Sequence, residues 1–469
     1  MTVTELWTVM PILIIACGSV LVLLLGAVAP GRYLTTVGVT TCLGAALWTV
    51  QFPPVAAAPQ IGVALTPLAR IFTVLFALAG AATLLLSHDF NERRGIRGEE
   101  YPATILFAVF GMTVLSAATT LLTLFLGLEA LTFAFYILVA MDTGSSRGAE
   151  AGLKYLLLGA ISAAFLAFGI ALIYAATGTL EIVPAMAGAA RSVSGRPLAL
   201  AGWGFILAGA AFKMSLVPAH LWTPDVYQGA PPPVVAFLST GSKGAAVLFL
   251  IFLLRPAGLI PALHAPLWWL ALLSMAVGNL AALRQQSIKR LLAYSSIAQM
   301  GYVALALLTG NREGYGAAAF YVMLYTAMNL AAFGAIASLS GKDDLESIEE
   351  YRGLGYARPF TAGVLALALF ALAGIPPTGG FMGKFFVFAA ALRGGEPLLA
   401  IFGILTAAVS VYFYLRVVVN LYLRPATAEI TANPSTPFEI VPLAVASFTI
   451  LLLGIYPAPL MAVIEAALN

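Results

Sequence analysis

Long apolar runs separated by short polar loops make up almost the whole chain. A helix needs about 20 apolar residues to cross a hydrocarbon core that is roughly 30 Å thick. Windows of that length predict fourteen spans, at residues 5–28, 33–52, 67–87, 102–119, 121–141, 151–176, 198–229, 233–254, 263–283, 288–309, 315–340, 360–392, 397–423 and 438–465. The pattern therefore predicts an all-α polytopic membrane protein with about fourteen transmembrane helices.

Prolines interrupt the seventh window, which covers residues 198–229. In the stretch AFKMSLVPAHLWTPDVYQGAPPPV, Pro218 follows Lys213 by five residues. A proline removes one backbone N–H and frees the carbonyl group one turn earlier. Irregular backbone is tolerated at membrane depth only inside protein or beside a water-filled cavity. We therefore predict a broken helix 7, with a lysine beside the break.

The twelfth window, 360–392, has the same feature. As one helix it would be about 50 Å long, and Pro376 and Pro377 interrupt it shortly before Lys384. Two interrupted helices with nearby lysines, five windows apart, suggest a repeated unit of five helices. An odd-numbered unit repeated in tandem must be inverted across the membrane, a construction common in ion transporters.

The repeat predicts a division of the chain into four segments. They are residues 1–100 with helices 1–3, 101–258 as the first five-helix repeat (helices 4–8), 259–425 as the second, inverted repeat (helices 9–13), and 426–469 with helix 14. Each repeat contains one of the two broken helices.

Composition agrees with a membrane protein and excludes other classes. Hydrophobic residues make up 61% of the 469 positions and charged residues 9%, whereas soluble proteins carry roughly 25% charged residues. Disorder requires low hydrophobicity and high net charge, and the net charge here is only +3. So small a charge gives no indication of a nucleic acid partner.

The sequence contains no motif for a cofactor or a metal. Cys17 and Cys42 form no CxxC or Cys/His cluster, and His88, His220 and His264 are scattered. A GKS or GKT phosphate loop and a dinucleotide fingerprint are also missing. We therefore expect no cofactor and no metal in this chain, and we expect its energy to come from a partner protein or an ion gradient.

Basic residues in the loops predict the orientation. Loops after odd-numbered helices hold twelve of them: Arg32, Arg93, Arg94, Arg97, Arg147, Arg284, Lys289, Arg290, Lys342, Arg352, Arg358 and Arg424. Loops after even-numbered helices hold five: Arg191, Arg196, Arg255, Arg312 and Arg393. Cytoplasmic loops carry the excess of Lys and Arg. The odd loops are therefore expected in the cytoplasm, or on the equivalent side of an organellar membrane, with both termini on the opposite side.

A few charges remain inside the predicted helices. The basic ones are Arg70, Lys154, Lys213, Lys243, Lys384 and Arg416, and Glu129 is the one carboxylate well inside a helix. A Lys or Asp at mid-bilayer costs about 2.5–3.5 kcal/mol on insertion scales. Such charges normally face the bundle interior and mark an ion path. The candidates for a proton path are therefore Glu129, Lys154, Lys213, Lys243 and Lys384.

Structural interpretations stand beside this one. A salt bridge would explain Glu129, and snorkelling to the interface would explain Lys154. Arg70 fits an interfacial anchor, and Arg416 fits a packing or lipid contact. His220 and Asp225, which follow the first break, are candidates either to continue the proton path or to cap a half-helix.

A proton switch needs no cofactor. Removal from water favours the neutral form of a lysine, and a nearby carboxylate favours the charged form. If Glu129 approaches Lys213, movement of that carboxylate or its proton switches the amine between holding and releasing a proton.

Several stretches resemble the family of subunit N of respiratory complex I, the proton-pumping NADH:quinone oxidoreductase. They are HLWTPDVYQGAPPPVVAFLSTGSKGAA (220–246), LGLEAL (126–131), LKYLLLGA (153–160), KRLLAYSSIAQMGY (289–302) and AGIPPTGGFMGKF (373–385). The resemblance covers nearly the whole chain. The related subunits L and M and the multisubunit sodium/proton antiporters read more like a PDA…AP pattern after the tryptophan.

The resemblance implies roles for single residues. Glu129 matches the family's helix 5 glutamate, Lys213 its helix 7 lysine, Lys243 the connecting lysine of helix 8, and Lys384 the exit-side lysine of helix 12. Lys154 matches an additional lysine in helix 6. Other complex I membrane subunits are the implied partners, and flavin, iron–sulfur clusters and most of the quinone site are expected in partner subunits.

The alternatives differ in partner and in energy source. A chloroplast-type complex would take electrons from ferredoxin. A sodium/proton antiporter subunit would have a different partner set. A self-contained solute transporter would work alone, and a scaffold would use its buried charges only to hold helices together.

Overall fold

A computed structural model describes residues 3–52, 61–96, 98–192, 197–258, 260–341, 344–426 and 435–469. Arg97, Arg196 and Lys342, counted above for the orientation, and the predicted boundary at residue 259 lie outside these residues. Within them the chain is helical, and the β-pairing is confined to isolated bridges.

The α-helices follow one another in a simple order. They are α1 (Val3–Val28), α2 (Tyr33–Gln51), α3 (Pro67–Arg94), α4 (Glu100–Ala117), α5 (Leu121–Val139), α6 (Ser146–Thr177), α7 (Ile182–Ser192), α8 (Pro197–Met214), α9 (Trp222–Gly229), α10 (Pro232–Phe237), α11 (Lys243–Ala257), α12 (Pro261–Leu283), α13 (Ile288–Leu308), α14 (Arg312–Leu339), α15 (Leu354–Ala357), α16 (Pro359–Ala373), α17 (Gly379–Arg393), α18 (Pro397–Leu423), α19 (Pro437–Ile455) and α20 (Ala458–Ala467). A π-helical turn, Leu238–Ser242, joins α10 to α11.

The predicted fold class is confirmed. Thirteen helices of the described chain are long and apolar enough to cross a membrane. The twelfth predicted span is present as two half-helices, α16 and α17, and α8 and α9 divide the seventh. Both predicted interruptions therefore exist where the prolines stand.

Three details differ from the predicted spans. Helix α3 continues past residue 87 to Arg94, where Gly95 ends it in the left-handed conformation. The short helix α7 was not predicted. The single helix predicted for 438–465 is wrong, because Pro457 cannot donate to a helical carbonyl and separates α19 from α20.

Helices α13 and α14 form the centre of the protein. In the most apolar parts of α13 and α14, 94% and 100% of the residues are buried, and in the span Pro232–Ala257 the share is 94%. Most of the corresponding residues of α6 and α19 are not buried. Polar side chains on the central helices therefore face other protein groups rather than lipid. Such groups are tolerated only when they are hydrogen-bonded.

Ion pairs between loops sort the loops into two faces. On the face of the odd-numbered loops, Arg94 and Lys289 bind Asp344, and Arg93 binds Glu439. On the other face Arg393 pairs with Glu313, and His264 lies 2.5 Å from Glu396. In the described part of the chain, ion pairs between different loops join odd loops to odd or even loops to even, as alternating crossings require.

Glycines let α4 and α5 touch backbone to backbone. A Cβ on Gly127 would lie 2.6 Å from the backbone nitrogen of Leu115, and a Cβ on Gly111 would lie 2.4 Å from that of Leu131. Two residues after Gly127 the chain reaches Glu129. This close packing therefore fixes the depth of the helix position that carries Glu129.

We predict that Gly127→Ala destabilises the protein, because the new methyl group meets backbone that cannot rotate away. Overpacking of this kind costs about 1–3 kcal/mol. Thermal unfolding of the purified protein in detergent measures the effect. Gly44→Ala is the matched control, since a Cβ there meets nothing within 4 Å. Equal melting temperatures for the two variants would contradict the prediction.

Candidate functional site

Glu129 and Lys213 form an ion pair inside the membrane-spanning region. The Lys213 Nζ lies 3.0 Å from Glu129 Oε1 and donates a hydrogen bond to Thr132 Oγ1 at 2.8 Å. Both partners stand on α5, one turn apart, and face the last turn of α8. The lysine side chain is 1% exposed and the glutamate side chain 23%. The structure thus brings together the two residues on which the predicted switch depends.

The first break begins directly after Lys213. Helix α8 ends at Met214, and α9 begins at Trp222. In a continuous helix the residue at position 218 would donate its N–H to the Met214 carbonyl, but Pro218 has no N–H. The Val217–Pro218 peptide is cis. The Met214 carbonyl is therefore open to a donor from elsewhere.

Lys243 supplies that donor. Its Nζ donates to the Met214 carbonyl oxygen at 3.2 Å and to Ser215 Oγ at 2.8 Å, and Thr223 Oγ1 also donates to Ser215 Oγ, at 2.7 Å. Lys243 is 1% exposed and follows the π-helical turn that joins α10 to α11. π-helical turns are rare in proteins, and those that occur are often found at functional sites.

The second break repeats the arrangement. Pro376 and Pro377 cannot donate to the carbonyls of Leu372 and Ala373, where α16 ends. The Nζ of Lys384 donates to these two oxygens, at 2.8 and 2.9 Å. The Pro376–Pro377 peptide is cis. At both breaks, a lysine ammonium binds the carbonyls that prolines leave open.

Gly374 makes room for Lys384 at this break. Its φ of +85° lies in the region that glycine adopts without a penalty, and a Cβ there would come within 3.0 Å of the Lys384 Cδ. The lysine therefore crosses directly over the end of α16, with its ammonium 5.4 Å from the centre of the Tyr302 ring.

Uncharged polar side chains lie between the two breaks. Gln299 donates through Nε2 to the Leu372 carbonyl at 3.0 Å and to the Tyr414 hydroxyl at 3.2 Å, and its Oε1 accepts from the Tyr321 hydroxyl. Ser295 shares a hydrogen bond with Tyr414. Because these residues carry no charge, the sequence did not predict them, although the stretch KRLLAYSSIAQMGY contains Ser295 and Gln299.

Lys154 and Asp225 lie on the face of the odd-numbered loops. Lys154 Nζ is 2.8 Å from Glu150 and 2.9 Å from Asp225, and Arg290 binds the same aspartate at 2.8 Å. Lys154 is 44% and Asp225 36% exposed. The ammonium of Lys154 thus reaches the polar face, as a snorkelling lysine does.

His220 stands apart from the lysines. It is half buried after the first break, and in the described residues no hydrogen bond joins it to Lys213 or Lys243. A cavity of about 700 Å³ opens beside this break and is lined almost entirely by apolar groups, among them Phe165, Val217 and Trp269. The outward side of the break therefore suits a lipid chain better than water.

The two remaining intramembrane arginines bind helix ends. Arg70 donates to the carbonyls of Thr49 and Val50, at the last turn of α2. Arg416 donates to the carbonyls of Leu283 and Gln285, where α12 ends. Positive side chains are favourable at helix C-termini. No group of three His, Cys, Asp or Glu side chains that could hold a metal exists among the described residues.

Comparison with known proteins agrees with this architecture. Residues 118–410 match the family model described as NADH:quinone oxidoreductase/Mrp antiporter, transmembrane. The chain is 64% identical, over the full length of both, to NADH-quinone oxidoreductase subunit N of Geotalea uraniireducens.

Two solved structures have the same fold. A chain of respiratory complex I from Thermus thermophilus matches with a TM-score of 0.83 and 35% identity, over 96% of this chain and 98% of that one. A chain of the Mrp complex from Dietzia matches with a TM-score of 0.83 and 20% identity, over 100% of this chain and 97% of that one. The second likeness shows the fold alone.

We predict that Lys213→Met lowers the stability of the protein, because it leaves the Glu129 carboxylate without its counterion. Breaking a buried ion pair costs about 3–5 kcal/mol, and the lower figure applies here since Glu129 is 23% exposed. Thermal unfolding in detergent is the measurement. The double variant Glu129→Gln, Lys213→Met removes both charges and is expected to recover most of the loss. A double variant less stable than the single one would contradict this account of the pair.

Proposed function

The chain belongs to the NADH:quinone oxidoreductase/Mrp antiporter family of membrane subunits, and we propose that its buried Glu and Lys residues carry protons across the membrane. It is a proton-translocating membrane-arm subunit of NADH:quinone oxidoreductase, coupled to quinone reduction elsewhere in the complex. Other subunits of that complex are its partners. The observation that carries the proposed path is the 3.0 Å ion pair between Glu129 and Lys213 beside a broken helix.

The proposed path begins at this pair. The Glu129 carboxylate favours the charged form of Lys213, and its withdrawal or protonation removes that support. Because Lys213 is fully buried, its ammonium then has no water to replace the lost partner. The proton passes toward Lys243, which can accept it only as a neutral amine, after releasing a proton of its own; its Nζ lies 3.2 Å from the carbonyl oxygen of the residue next to Lys213.

Lys384 is the proposed exit-side group. It holds the carbonyls of the second break, at the far end of the polar cluster on α13. Lys154, with Asp225, is proposed to serve the face of the odd-numbered loops, and His220 remains a candidate beside the break. Flavin, iron–sulfur clusters and the quinone site are proposed to lie in partner subunits, which supply the energy.

The two breaks support the proposed inverted repeats, 101–258 and 259–425. Each repeat contains one helix that prolines interrupt and one lysine ammonium that binds the freed carbonyls. The lysine comes from the following span in the first repeat and from the same broken helix in the second. The two repeats therefore have the same kind of contact at their broken helices, although their sequences differ.

A sodium/proton antiporter subunit is the second candidate, since the Mrp chain shares the fold. Its 20% identity is far below the 64% identity to a subunit N. Purification in mild detergent separates the two functions. Peripheral NADH-oxidising subunits are expected to copurify, and their absence would count against the proposed function. Solute uptake by the chain alone in liposomes would favour a self-contained transporter.

We predict that Lys213→Ala permits assembly but sharply reduces quinone-coupled proton pumping, because the switch loses its amine. The measurement is proton pumping per electron transferred by the assembled complex in native membrane vesicles. Lys289→Ala is the matched control: it removes an equally buried lysine, 2% exposed, from an ion pair with Asp344 on a loop face. Normal pumping by an assembled complex with Lys213→Ala would mean that the buried charges only hold the helices together.

The protein is a multi-span protein of a bacterial membrane, and we propose that its odd-numbered loops face the cytoplasm. The prediction is that a membrane-impermeant maleimide labels Arg312→Cys from outside the cell and Arg147→Cys only in inside-out vesicles. Cys17 and Cys42 are replaced by serine in both variants. The opposite labelling would reverse the orientation and place both termini in the cytoplasm.

A further inference from the structure

Gln299 occupies the position where the second break meets the polar cluster of the central helices. It lies on α13 with 1% exposure. A carbonyl oxygen only accepts hydrogen bonds, so the amide atom facing the Leu372 carbonyl is the nitrogen, at 3.0 Å. The amide oxygen then faces Tyr321, whose hydroxyl donates to it. Both the nitrogen and the oxygen of the amide group therefore form hydrogen bonds.

The Leu372 carbonyl links Gln299 directly to Lys384. Lys384 Nζ donates to this oxygen at 2.8 Å and Gln299 Nε2 at 3.0 Å. A carbonyl oxygen has two lone pairs, so the two donors fill its capacity. If the lysine moves away from the oxygen, the amide is left as its donor, and if the amide moves away the lysine is left.

A second hydrogen bond of the Gln299 amide points toward the groups near the first break. Its amide nitrogen donates to the Tyr414 hydroxyl, which shares a hydrogen bond with Ser295. The next residue, Ser296, lies 3.3 Å from the Tyr227 hydroxyl, and the ring of Tyr227 is 6.0 Å from Lys243 Nζ. Gln299 therefore binds the groups around Lys384 to the Tyr414–Ser295 pair, and the adjacent residue Ser296 is the first of the groups that lead to Lys243.

The chemistry of a primary amide limits the role of Gln299 in this hydrogen-bond network. Hydroxyl groups both donate and accept and can pass a proton along, whereas a primary amide keeps separate donor and acceptor ends and does not titrate in the physiological range. Gln299 therefore holds its neighbours in place rather than carrying the proton itself.

We propose that Gln299 is a positioning residue for proton transfer between the two halves of the subunit, holding the Leu372 carbonyl, Tyr321 and Tyr414 in one network with Lys384. The proposal rests on the proton path proposed above. It predicts that the amide group, and not merely the volume of the side chain, is required for pumping.

The first test compares Gln299→Leu with Lys384→Met in the assembled complex. Leucine fills similar space without a hydrogen bond, so pumping per electron is expected to fall as far as it falls in Lys384→Met. Asn420→Leu is the matched control, since it removes another buried amide, bonded to the Arg416 carbonyl at 2.9 Å and remote from the breaks, and it is expected to pump normally.

The second test uses Gln299→Glu and pH. The deprotonated acid is acceptor-only and cannot donate to the Leu372 carbonyl, whereas the protonated acid has one donor and resembles the amide. Pumping relative to the unchanged protein is therefore expected to be low at alkaline pH and to rise as the pH falls. A packing role would leave this ratio independent of pH.

The outcomes are distinguishable. Normal pumping by Gln299→Leu beside a loss in Lys384→Met overturns the role of Gln299 and leaves the proposed function standing. Normal pumping by both overturns the proton path itself. A loss in Asn420→Leu as large as in Gln299→Leu, with no pH response in Gln299→Glu, shows general damage and also overturns the proposal.

Discussion

The bond between a lysine ammonium and the carbonyls that prolines leave open is the contact on which the interior depends. An unpaired carbonyl inside a membrane protein costs several kcal/mol, about as much as a buried charge on insertion scales. Each group alone would destabilise the spans. Lys243 at the Met214 carbonyl and Lys384 at the carbonyls of Leu372 and Ala373 remove both penalties at once. The breaks and the buried lysines therefore require each other.

This requirement explains the layering of the helices. Broken backbone and buried ammonium groups must be kept from lipid, and α13 and α14, which are almost wholly enclosed, provide the surroundings. Their polar side chains extend the network inward, as Gln299 does with the Leu372 carbonyl. The outer helices, such as α6 and α19, present mostly apolar side chains outward and carry their charged side chains near their ends.

The sequence predicts those parts of the site that follow from charge and from proline chemistry. The three prolines, Pro218, Pro376 and Pro377, identify which carbonyls are freed. A proline has no N–H to donate to the carbonyl of the residue four positions earlier. Nothing local shows that Lys243, 25 positions after Pro218, reaches the first break, since that contact depends on how α11 packs against α8. Gln299 was missed for a related reason: an uncharged amide in an apolar helix looks like ordinary core until its partners are known.

Lys213 differs from the other two lysines in the kind of partner it has. Lys384 is held by two backbone carbonyls, and Lys243 by one carbonyl and the Ser215 hydroxyl. These groups belong to the ends of α16 and α8, and the carbonyls cannot be withdrawn without refolding a helix end. Lys213 is held by a carboxylate on a different helix, and the side chain that carries this carboxylate is 23% exposed on this chain. A charge that moves in a neighbouring subunit can therefore act on Glu129 while the two break lysines stay in place. Control of the proposed proton path is therefore expected at Glu129 and Lys213, where two oppositely charged side chains meet next to the first break.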